Sequence, residues 1–66
     1  MTDFVLHYTQ GDSVGRLEPQ TDAARAWIHE HVESEPYQWL GPALVIEHRY
    51  IDPIIEGIVS DGLEVE

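Results

Sequence analysis

The sequence contains no cysteine and no lysine. The first absence excludes disulfides and every thiolate metal site. The second leaves Arg16, Arg25 and Arg49 as the only strong bases against thirteen acids. Long apolar runs are missing too, since each is broken within a few residues, well short of a membrane span. A signal peptide would begin with a positively charged region, and Met1-Thr2-Asp3-Phe4 offers an acid there instead. These absences lead us to expect a cytoplasmic, unprocessed chain that does not bind membranes.

What is present describes one domain of 66 residues. A chain of this size buries only about 60% of its unfolded surface. With no disulfide to help, stability must come from the core or from a partner chain. The net charge of −10 opposes direct binding to nucleic acid or to anionic lipid. Acidic side chains commonly serve to keep a small domain dispersed. Alternatively, they attract a basic partner surface and imitate nucleic-acid phosphates. Apolar residues are plentiful and patterned, which argues against disorder.

Residues 4–9 read as a strand, with Phe4, Leu6 and Tyr8 alternating onto one face. Gln10-Gly11-Asp12-Ser13 signals a turn, and residues 14–18 return as a second strand. With Gly11-Asp12 as the loop, Leu6 lies opposite Leu17, His7 opposite Arg16 and Val5 opposite Glu18. Tyr8 then covers Gly15, as aromatics do over strand glycines. Pro19 closes the second strand. Thr21 is an N-cap for a helix over residues 22–33, with Asp22 at the favourable end of the dipole. Ala24, Trp27, Ile28, His31 and Val32 share its apolar face.

Residues 34–42 read as a loop broken by Pro36, Gly41 and Pro42. Residues 43–51 read as a central strand, with Tyr50 continuing the Leu44/Ile46 side. Asp52 is expected to cap a second helix, with Pro53 at its first position. Ile54, Ile55, Ile58 and Val59 form its stripe, and Gly62 ends it with Leu63 folding back onto Ile58. Residues 63–66 alternate as an optional edge strand. The predicted fold class is α+β: a ββαβα order with both helices on one face of a small three- to four-stranded sheet.

Three segments carry a resemblance: Thr21-Asp22-Ala23-Ala24-Arg25-Ala26-Trp27, Val45-Ile46-Glu47-His48-Arg49-Tyr50-Ile51 and Asp61-Gly62-Leu63-Glu64-Val65. Together they resemble a group of short hypothetical proteins of bacteria and their phages, over most of the chain from residue 19 onward. The resemblance implies a bacterial or phage domain and transfers no catalytic residue.

Few residues offer chemistry. His29-Glu30-His31 invites a metal, but helix neighbours two apart point about 200° from each other. The zincin spacing is absent, so no metal and no cofactor is expected. His31 reads as a partly buried histidine bonded to a carbonyl or carboxylate, with a pH-sensitive pocket group as its functional alternative. Glu47 and Arg49 read as an ion pair on one strand face. Ser13, Ser34 and Ser60 lack the glycines of a nucleophile elbow, and no Gly-rich phosphate loop exists. A domain this small rarely holds a ligand pocket of about 300 Å³. An enzyme is therefore not expected.

Tyr37, Trp39 and Leu40 are the strongest recognition candidates, because Trp and Tyr dominate interface hot spots. The structural alternative makes them a lid over the open end of the core. Arg49 and Glu47 would join their surface. The leading expectation is a non-catalytic protein-interaction or regulatory module, with homodimerisation through the free sheet face or an edge strand. Val5 and Val45 on that face motivate the dimer. The second expectation is an acidic, phage-type inhibitor that occupies a basic groove.

Overall fold

The structure, a computed structural model, describes residues 2–9 and 11–66. The expected turn residue Gln10 and the starting Met1 lie outside the described residues. Strand β1 (Phe4–His7) pairs antiparallel with β2 (Val14–Pro19). The register is the expected one: Val5 opposite Glu18, Leu6 opposite Leu17, His7 opposite Arg16. Period-two alternation dictates it, since a slip by one residue would turn Leu6 and Leu17 out of the core. Strand pairing stops at His7, so Tyr8 and Thr9, expected to extend the strand, lead into the turn instead. There Asp12 N–H donates to Thr9 O at 2.9 Å, and Gly11 adopts φ 98°. The Tyr8 ring does cover Gly15: a Cβ on Gly15 would stand 3.3 Å from Tyr8 Cδ1 and 2.9 Å from Ile51 Cδ1.

Helix α1 (Asp22–His31) starts where expected, with the Thr21 hydroxyl accepting from Ala24 N–H at 3.1 Å. It ends two residues early, because Val32 turns extended. The loop that follows is more ordered than its prolines implied. Pro36–Gln38 forms a 3₁₀ turn, and β3 (Trp39–Leu40) pairs with β4 (Ala43–Glu47). Gly41, with φ 59°, supplies the positive φ that a Gly-first two-residue hairpin turn needs. The sheet order is β1-β2-β4-β3.

The largest departure from expectation is helix α2 (His48–Ser60). It begins four residues before Asp52, so Pro53 lies inside it and Asp52 is no cap. An interior proline costs about 3 kcal/mol or more through one lost bond and a clash. The early start aligns Ile51 with Ile58, two turns apart, and both are buried. Burying such a side chain contributes about 1.5–3 kcal/mol, so the lengthened stripe offsets the proline. Gly62 ends the helix as expected: its N–H donates to Val59 O at 3.0 Å, and Leu63 N–H donates to Ile58 O at 3.1 Å.

Phe4, Leu17, Leu44 and Ile46 share one sheet face, and Ala24, Trp27, Ile28, Ile51 and Ile58 close over it in one cluster. Both helices thus cover the same face. Trp27 lies edge-on to Phe4 at 6.1 Å and donates its indole N–H to Asp61 Oδ2 at 2.6 Å. That bond ties the start of the C-terminal segment to α1. The segment then runs parallel beside β1, bridging Val65 to Phe4, with Phe4 N–H donating to Glu64 O at 2.9 Å and Leu6 N–H to Glu66 O at 2.8 Å. Among the described residues no helix is long and apolar enough to cross a membrane.

Candidate functional site

β3 is two residues long and β4 is five, and this mismatch creates the site. Trp39 and Leu40 pair with Leu44 and Ala43 and go no further. Val45, Ile46 and Glu47 are paired with β2 on one side and have no strand on the other among the described residues. Leu40 and Ala43 flank the two-residue turn, so they exchange backbone bonds with each other. Outward-facing groups recur at every second residue, so Val45 faces Gln38, the residue next to Trp39 in the β3 register, and Glu47 is the first residue of β4 whose N–H is directed at the free edge.

A cleft of about 330 Å³ lies against that edge. Its walls are the end of α1 with His31, Val32 and Glu33, the turn residue Gln38, and Tyr50, Pro53 and Ile54 of α2. The volume reaches the lower end of the range for small-molecule sites, which corrects the expectation that a domain this small lacks such a space. Val32, Leu44, Ile46 and Ile54 make it apolar, while Glu33 and Glu47 bring carboxylates from the chain after α1 and from β4. No serine, threonine, cysteine or lysine lines it among the described residues.

His31 sits at one wall and is more exposed than expected. Its ring stacks on Trp27 at 4.6 Å, its Nδ1 is 3.0 Å from Trp27 O, and its Nε2 is 3.7 Å from Asp61 Oδ2. The expected carbonyl partner is therefore present. His29 turns the other way and stacks on Trp39 at 5.8 Å, so the two histidines do not converge. Among the described residues no cluster of three or more His, Asp or Glu could hold a metal.

The five residues singled out in the sequence do not form one patch. Tyr37 stands on the 3₁₀ turn and is 84% exposed. Trp39 packs against the core, with its indole N–H donating to Ser34 Oγ at 3.1 Å. Its neighbour Leu40 points to the opposite sheet face and is 58% exposed. Trp39 is thus a lid residue, and Tyr37 and Leu40 remain available. Glu47 lines the cleft. Arg49 lies on α2 rather than on a strand, and its Nε meets Glu47 Oε2 at 3.0 Å. The ion pair exists, but at a strand-to-helix junction, and its exposure limits it to about 0–1 kcal/mol. Tyr50, expected on the core side of a strand, lies on α2 with Arg49 Cζ 5.0 Å from its ring centroid.

Val45, Ile46, Tyr50 and Ile54 were not recognised in the sequence as site residues, because reading residues 43–51 as one strand conceals the cleft. A comparison with known protein families, curated proteins and solved structures finds no match. The resemblance to short bacterial and phage proteins accordingly contributes no residue to the site.

Proposed function

We propose that this protein is a non-catalytic interaction module whose cleft takes an extended, basic segment of a partner protein as an added strand beside β4. The free edge at Ile46–Glu47 is the observation that carries this reading, since strand addition supplies affinity through backbone bonds and specificity through alternate side chains. The apolar lining suits aliphatic side chains of such a segment. Glu33 and Glu47 suit a lysine or arginine between them, and the net charge of −10 attracts a basic chain from a distance. The same charge opposes nucleic acid as a ligand. We place the exchange in the cytoplasm, where a domain without cysteine needs no oxidising surroundings.

A second reading is an acidic inhibitor that fills a basic groove on a folded partner. It is favoured by the placement of Asp22, Glu30, Glu33, Glu35, Asp52, Glu56 and Asp61, all on the helices, their caps or the loop after α1. Selection from a displayed library of random peptides separates the two. The first reading expects enrichment of segments alternating apolar residues with Lys or Arg, and at least a tenfold weaker interaction with Glu33→Lys, equivalent to about 1.4 kcal/mol. Failure to enrich any short basic segment, with binding confined to folded basic proteins and lost at high salt, would favour the inhibitor.

A further inference from the structure

Both helices lie on one side of the sheet, so the other side is bare. In the centre of that bare face Arg16 on β2 stands between His7 on β1 and Val45 on β4. One step along the strands, Glu18 stands opposite Val5 on β1, while Ala43, one residue beyond the Leu17–Leu44 pair, is already covered and pairs with Leu40 on β3. In the other direction Val14 is paired with Glu47. Val14 and Leu40 are both exposed. A shallow basin of about 640 Å³ runs over this face from the hairpin tip to Leu40.

Arg16 is distinctive in its charge. Arg25 contacts Asp22 at 2.6 Å and Arg49 contacts Glu47 at 3.0 Å. Arg16 has no carboxylate within ion-pair distance among the described residues. Glu18 gives Oε1 to the Gln20 amide at 2.9 Å, and its Oε2 has no partner among the described residues. A cation and a half-used carboxylate thus stand two residues apart on one strand without meeting each other.

We infer that this face is the interface of a homodimer, with Arg16 of each copy paired to Glu18 of the other. The register supplies the symmetry. A two-fold axis across the strands at the level of Leu17 exchanges residue 16 with residue 18. It stacks β2 on its own copy, lays Arg16 over Glu18 twice and sets Val5 of one copy against His7 of the other. Such an interface is isologous and self-complementary, and sheets stack in this way with strands within about 30° of each other. Each copy carries −10 overall, so most of the surface repels a second copy. The bare face is less acidic, with Arg16 set against Glu18, Glu47 and Asp12 of the hairpin tip, and apolar side chains between. This interface is separate from the peptide reading of the cleft, and either can fail alone.

The test is sedimentation equilibrium from about 10 μM to about 1 mM on the wild type, Arg16→Glu, Glu18→Arg and the double charge swap. The wild type is expected to reach twice the monomer mass. Each single variant is expected to dimerise at least tenfold more weakly, and the swap to return within about threefold of wild type, since opposite charges meet again across the axis. A wild type that stays monomeric at the highest concentration overturns the inference, as does an Arg16→Glu variant that dimerises normally while retaining its circular dichroism. Isotope-filtered contacts between Val5 methyls of one copy and the His7 ring of the other check the axis without any substitution, and their absence in a proven dimer overturns it too.

Discussion

Asp3 ties three separate stretches of chain together. Its Oδ2 accepts from Glu64 N–H at 3.0 Å, its Oδ1 accepts from the Thr21 hydroxyl at 2.9 Å, and its carbonyl accepts from Gln20 N–H at 2.7 Å. The Glu64 backbone bond, and then the Thr21 bond, hold its carboxyl below the ordinary 3.8. Because the folded value is the lower one, the stabilisation is complete above 3.8 and is lost as pH falls through the folded value. Asp3→Asn is expected to be less stable than wild type at neutral pH, and the gap should narrow below pH 3.8. Urea melts of both proteins across that range would show it, and a gap independent of pH would exclude the carboxylate as its source. In the sequence Asp3 stood out only as an acid near the first residue; its contacts are set by segments brought together from opposite ends of the fold, which no local pattern records.

At the scale of elements, the two acid- or hydroxyl-led helix starts look alike in sequence and differ in the structure. Thr21 caps α1 through a bond to Ala24 N–H, whereas Asp52 lies within α2. Thr21→Ala should cost about 1 kcal/mol, and Asp52→Ala should stay within about 0.5 kcal/mol, as for a surface position without a special role. Equal losses in thermal or urea denaturation would restore Asp52 as a cap. The hairpin register and the start of α1 were legible because alternation and capping act over a few neighbouring residues. The start of α2 was not, because the burial of Ile51 against Gly15 and the core decides it, and that is a tertiary effect. β3 was hidden for another reason: at two residues between Pro36 and Pro42, it is too short to show a period.

For the molecule as a whole, charge outweighs every other feature. Thirteen acids face three arginines, and the exposed pairs at Arg25 and Arg49 compensate little of it. Self-repulsion therefore weakens the folded state at low ionic strength. The melting temperature of dilute protein should rise as sodium chloride is added, and scanning calorimetry at several salt concentrations would measure it. A flat response would mean local compensation. The candidate site was legible only in fragments. Glu47 was recognised by its chemistry, whereas Tyr37 and Leu40, singled out as large loop side chains, are exposed but lie outside the cleft. The cleft itself follows from the shortness of β3 and the early start of α2, and both depend on the assembled fold.

The most direct measurement is amide hydrogen exchange at Glu47, with and without a saturating basic peptide from the library selection. Strand addition predicts that the Glu47 N–H, directed at the free edge beyond Gln38 and Val45, becomes at least tenfold more protected, while the amides of β1 change little. If the peptide binds and Glu47 exchange is unchanged, the cleft does not take a strand, and the central claim is contradicted.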